Sequence, residues 1–150
     1  DGQRTLFLEV ADALGNSDLR QFTFRLDRTV PGEPLFDLAP LSDSGPTGDL
    51  RTDQTSVTLT GLAEAGATLQ LTRATVPGTP GTGTPVATTT AAANGTFAFS
   101  GVALTAGANS FVVRVVDAAG NVGGTLAQTF TLNAAPTVAN PIAPQALTAG

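Results

Sequence analysis

The chain contains part of itself twice. Residues 7–16 read Phe-Leu-Glu-Val-Ala-Asp-Ala-Leu-Gly-Asn, and residues 112–121 read Val-Val-Arg-Val-Val-Asp-Ala-Ala-Gly-Asn. The shared string is Asp12-Ala-x-Gly15-Asn16 against Asp117-Ala-x-Gly120-Asn121, 105 residues further on. An alternating apolar run follows each copy: Phe22, Phe24 and Leu26 after the first, Phe130 and Leu132 after the second. A proline closes each, at Pro31 and Pro136. Period-two alternation puts every second side chain on one face of a strand, so each copy reads as two strands joined by a polar turn. A hairpin that returns after about 105 residues suits one all-β domain repeated along a chain.

The rest of the sequence fills the interval with the same kind of element. Val57 and Leu59 alternate with Thr58 and Thr60 in a strand over 55–62, and Leu69 and Leu71 alternate in another over 67–73. Strands are expected at 34–39 (Leu35 and Leu38 inward), 86–92, around Phe97 and Phe99, at 109–116 (Phe111, Val113 and Val115 on one face) and at 125–132. Turns fall at Ala63-Glu-Ala-Gly66 and at Asn94-Gly95, where both residues accept positive φ. Residues 41–54 and the Gly/Pro/Thr-rich 74–85 read as loops. Seven short alternating strands predict an immunoglobulin-type two-sheet β-sandwich. Its core lacks the Cys–Trp–Cys cluster of antibody domains, because the chain has no Cys and no Trp.

This frame divides the chain in three. Residues 1–29 read as the last two strands of a preceding repeat, with a hairpin over 4–26. Residues 30–133 read as one complete domain with its linker, Pro31 and Pro34 stiffening the joint. Residues 134–150 begin something different, and truncation leaves them little to pair with.

Residue inventory narrows the function classes. There is no His and no Cys, so triads that need an imidazole base and zinc sites built on these ligands are excluded. The glycines at 78–83 have no lysine and no following helix, which argues against a phosphate loop. The acids sit in loops without a Trp or Tyr platform for sugar, against glycosidase work. A non-enzymatic role is expected. The net charge is −5 and all seven cations are scattered arginines, so nucleic acid is not an expected partner. No apolar run is long enough for a membrane span.

Taken in order, several short strings resemble a known family: Leu26-Asp27-x-Thr29-x-Pro31, Ser42-Asp43-x-Gly45, Gly48-Asp49, Thr52, Leu59-x-Gly61-x-Ala63-Glu64-x-Gly66-Ala67, Asn94-Gly95-x-Phe97 and Asp117-x-Ala119-Gly120-Asn121. Over residues 2–133 this is similar to the bacterial Ig-like repeats of giant cell-surface and biofilm adhesins. The tail, Ala135-Pro136-Thr-Val-x-Asn140-Pro141-Ile142-Ala143-x-Gln145, resembles the start of a cadherin-like module. The resemblance implies a secreted, extracellular array whose modules space a binding tip away from the bacterial surface, with neighbouring repeats as partners and calcium at many joints.

Calcium has a chemical case, since it takes six to eight oxygens from carboxylates, carbonyls and water. In a seven-strand sandwich successive loops alternate between two poles. Asp27, Glu64, Asp117 and Asn121 would then meet at the incoming joint, and Asp43, Asp49 and Asp53 would lie at the outgoing one. The plainer alternative is that Asp, Asn and Gly here only build turns. Two other functions remain open at this point: recognition of a carbohydrate or protein through loops 41–54 and 74–85, and assembly by homotypic strand pairing through the 4–26 hairpin.

Overall fold

A computed structural model describes residues 1–74 and 83–133. Residues 75–82 and 134–150 lie outside the described residues, and with them most of the expected 74–85 loop and the whole segment expected to begin a cadherin-like module. Every regular element described is a strand. β1 (Gly2–Ala11) and β2 (Ser17–Leu26) form a hairpin. The module follows as β3 (Leu35–Leu38), β4 (Arg51–Thr52), β5 (Ser56–Leu62), β6 (Thr68–Arg73), β7 (Thr84–Thr90), β8 (Thr96–Ala103), β9 (Gly107–Val116) and β10 (Val122–Leu132).

The module is the expected sandwich. One sheet has the order β4-β10-β9-β6-β7 and the other β3-β5-β8. All neighbours are antiparallel except β4, which runs parallel to β10. Alternation puts Leu69 and Leu71 of β6 and Phe111 and Val113 of β9 on the inner face of one sheet, opposite Val57 and Leu59 of β5 and Phe97 and Phe99 of β8. Phe130 of β10 sits at the centre, fully buried. It meets Phe36 of the facing sheet edge-on at 5.9 Å between ring centroids, a geometry a ring quadrupole favours, and Phe111 in a tilted contact at 6.3 Å. These rings fill the place that a disulfide and a tryptophan occupy in antibody domains.

Three strand expectations need correction. Loop 41–54 contains β4, so the described residues of the module form eight strands where seven are expected. Two residues, Arg51 and Thr52, carry no alternation, and their partner Leu132 is distant in sequence. Leu35 points outward and is 63% exposed, whereas Phe36 and Leu38 are inward. Two adjacent apolar residues in a four-residue strand leave the phase open, and Leu38 sets it. β10 starts at Val122, three residues earlier than expected, because the ladder with β9 slips by one residue between Val122 and Thr125. That bulge, at Gly123-Gly124, puts one more residue into the second copy of the repeated hairpin.

The buried polar group that holds the β8–β9 connection is Asn109, 2% exposed. Its Oδ1 accepts from Thr105 N (2.8 Å), Thr105 Oγ1 (3.2 Å) and Arg73 Nη1 (2.9 Å). Its Nδ2 donates to Thr105 O (2.7 Å) and Gly107 O (2.9 Å). Arg73 in turn lies over the Phe111 ring, 4.6 Å from its centroid, and bonds Ala103 O.

The hairpin differs from the module in what covers it. Among the described residues, β1 and β2 pair only with each other. Register places Leu6, Leu8, Val10, Phe22, Phe24 and Leu26 on one face. All of these except the half-buried Leu26 are exposed, and their counterparts Phe111, Val113, Val115, Phe130 and Leu132 are core.

Candidate functional site

Of the candidate residues read from the sequence, Asp27, Glu64, Asp117 and Asn121 lie toward the joint between hairpin and module, and Asp43, Asp49 and Asp53 lie in loop 41–54. The 63–67 turn and the 91–95 turn lie against each other, with Ala63 N donating to Gly95 O (2.9 Å) and Gly66 N to Ala91 O (3.0 Å). Asn121 reaches the incoming chain from the β9–β10 turn, donating to Asp27 O at 3.2 Å. Loop 41–54 lies at the opposite pole, where Leu50 O and Thr52 O accept from Thr131 N and Asn133 N at the end of β10. Glu64 belongs to the first of those turns, and the pairing of Thr68 with Val116 puts that turn at the same end of the sheet as Asp117.

Local turn hydrogen bonds engage the aspartates among these candidates. Asp117 starts the β9–β10 turn, and its Oδ1 accepts from Ala119 N (2.9 Å) and Asn121 N (2.8 Å). Its Oδ2 accepts from Asn121 Nδ2 at 2.7 Å. The backbone closes the same turn, Asp117 N to Asn121 O at 3.0 Å and Gly120 N to Asp117 O at 3.2 Å, with Gly120 at φ +90°. The side-chain bond from Asn121 holds the Asp117 carboxyl below its ordinary pKa against a smaller desolvation effect, and the backbone N–H groups add to it. Asp12 repeats this in full: Leu14 N and Asn16 N on Oδ1, both at 2.9 Å, and Asn16 Nδ2 on Oδ2 at 2.7 Å. Its carboxyl is lowered too, chiefly by the Asn16 side chain.

The other acids are used similarly. Asp27 Oδ1 accepts from Thr29 N (3.1 Å), Asp49 Oδ1 from Arg51 N (2.9 Å), and Asp53 Oδ1 from Ser44 Oγ (2.6 Å). Asp43 Oδ2 accepts from Gly48 N at 2.7 Å, and its buried Oδ1 has no hydrogen-bond partner among the described residues. Among the described residues, no three carboxylates come together as a set that could hold a metal ion. Asp27, Glu64 and Asp117 therefore share a pole without forming such a set, and Asp43, Asp49 and Asp53 share a loop in the same way.

The joint has members that alternation and charge do not disclose. A Cβ at Gly123 would lie 2.3 Å from Pro31 O and 2.7 Å from Pro31 Cγ, and one at Gly124 would lie 3.1 Å from Glu33 Cα. The incoming segment thus runs directly over the bulge, and Pro31 and Pro34 are buried rather than lying on a solvated linker. At the hairpin's base, Asp1 accepts from Arg28 N (2.8 Å) and from Thr29 Oγ1. Two consecutive glycines inside a strand are a signal of close backbone approach, though they do not say what approaches.

One of the module's surface grooves is lined by Thr60, Gly61, Leu62, Thr89, Thr96 and Ala98 among others and holds no titratable group. No helix among the described residues is long and apolar enough to cross a membrane. A comparison with curated proteins returns no match. The family model for the bacterial Ig-like domain matches residues 29–133, the module together with the segment docked on its bulge. With the two-sheet sandwich and the repeated Asp-x-x-Gly-Asn turn, that match assigns the chain to the bacterial Ig-like domain family.

Proposed function

We propose that this chain is a stretch of a non-enzymatic, extracellular repeat array at a bacterial surface, in which the Ig-like module acts as a structural spacer. The observation that carries this reading is the duplicated hairpin. One copy closes a sandwich, and the other presents the same core-forming face uncovered, immediately upstream of a docked linker. Such a face is what the closing strands of a preceding module would present. Family membership supports a structural or adhesive module, and the turn-bound acids and threonine-lined groove offer no constellation for catalysis.

A spacer must resist tension. β4 and β10 run parallel at the outgoing pole, so pulling the ends apart loads their short ladder in shear, including the bonds from Thr131 N to Leu50 O and from Asn133 N to Thr52 O. Single-molecule pulling on the chain between end handles should give one main unfolding event, with a contour gain on the order of 350 Å for roughly a hundred residues. Featureless extension would contradict the spacer reading. Calcium at the joints is a separate part of the proposal, supported by the oxygen-rich residues at both poles. Scattering profiles that are identical with calcium and with chelator would remove it and leave the spacer intact.

A further inference from the structure

We propose that Asn121, Gly123 and Gly124 form a seat that binds the incoming segment 27–33 in one extended path, fixing the joint between hairpin and module through direct protein contacts. The seat has a polar and a steric half. Asp117 Oδ2 and Asp27 O are both acceptors and both face the Asn121 side-chain amide, at 2.7 and 3.2 Å, so the atom between them is its nitrogen. One amide therefore ties the β9–β10 turn to the segment's backbone, whatever side chain stands at 27. The steric half is the bulge, where the missing Cβ atoms admit Pro31 and the Glu33 backbone. Proline suits this place, because its fixed φ pre-sets the extended path and it brings no N–H to be left unsatisfied against the strand.

The seat belongs to the second hairpin only. In β9–β10 the two glycines oppose Val115, whereas in β1–β2 a single residue, Asp18, opposes the equivalent Val10 and the ladder runs without a slip. The Asp12–Asn16 turn keeps the amide geometry, but no bulge follows it. A chain approaching that hairpin meets a side chain where Pro31 meets a glycine. Two hairpins with one turn sequence thus differ in how closely they admit a neighbour. The joint type is written two residues after the turn.

The test uses the full chain, which has no native cysteine, with nitroxide labels at Gln21→Cys and Thr88→Cys, both exposed. The unsubstituted joint should give a narrow distance distribution in chelator as well, since calcium at this joint would add to the seat rather than replace it. Gly123→Ala should broaden it and raise the rate of tryptic cleavage after Arg28 about tenfold, the size expected for losing one such contact set. Cleavage after Arg4 and Arg20, inside the hairpin, should not change and serves as the control. If Gly123→Ala fails to fold, replacing residues 28–32 by Gly-Ser leaves every module strand intact and should release the joint equally. A joint as narrow in these variants as in the parent would overturn the proposal. So would a parent joint that chelator broadens as far as Gly123→Ala does.

Discussion

The two hairpins have nearly the same turn and opposite surroundings. Asp12 and Asp117 take the same three side-chain hydrogen bonds, to within about 0.1 Å of each other. Yet Val10 is 59% exposed where Val115 is fully buried, and Phe24 is 52% exposed where Phe130 is fully buried. The turn is therefore a local device that forms without a sandwich around it. Burial of the strands is a tertiary property, supplied by β3, β5 and β8 to one hairpin and not to the other. A repeated motif can thus carry the same hydrogen bonds and a different share of stability.

The largest effect should come from the two phenylalanines. Phe130→Ala removes a ring that joins both sheets and should cost about 3–5 kcal/mol in denaturant unfolding followed by far-UV dichroism. Phe24→Ala should stay within about 0.5 kcal/mol, as at a surface position. Equal losses would mean that the first hairpin has a core of its own. Next comes Asn109, whose counterpart 105 residues earlier is the exposed Arg4. Asn109→Ala leaves Thr105 and Arg73 groups without their partner and should cost roughly 3 kcal/mol, while Arg4→Ala should be nearly silent.

Smaller still is the effect of the turn acids. Asp117→Asn should lower the module's melting temperature, and Asp12→Asn should leave it unchanged because that turn bears no module packing. The pH dependence carries the same contrast. A carboxyl whose folded pKa lies below its unfolded value contributes stability that is fully present above the unfolded value of about 3.9. That contribution is lost as pH falls through the lower folded value. Acid titration of module stability should therefore steepen below about pH 4 in the parent and flatten in Asp117→Asn but not in Asp12→Asn. An acid limb unchanged by Asp117→Asn would assign it to other carboxylates.

Much of this fold is legible from sequence because alternation is a direct consequence of strand geometry. Val57 and Leu59, Leu69 and Leu71, Phe97 and Phe99, and Phe111 and Val113 are inward as their spacing requires. Legibility ends where an element is too short to alternate, as at β4, or where two apolar neighbours compete for the inner face, as at Leu35 and Phe36. At the joint, charge points to Asp27, Glu64 and Asp117. The module residues that receive the linker include an amide and two glycines, and nothing local to Gly123 announces that Pro31 will lie on it. Asn121 was visible as part of a repeated string, but only the fold brings Asp27 O within its reach.

Hydrogen exchange by mass spectrometry on the intact chain tests the central comparison most directly. Backbone amides of β9–β10 should exchange only through global unfolding of the module, and their rate should follow its stability across denaturant. Amides of β1–β2, with identical turn chemistry but no covering sheet, should exchange orders of magnitude faster and be indifferent to Phe130→Ala. Equal protection of the two hairpins would contradict the account, because the first would then be held by packing that a bare face does not provide.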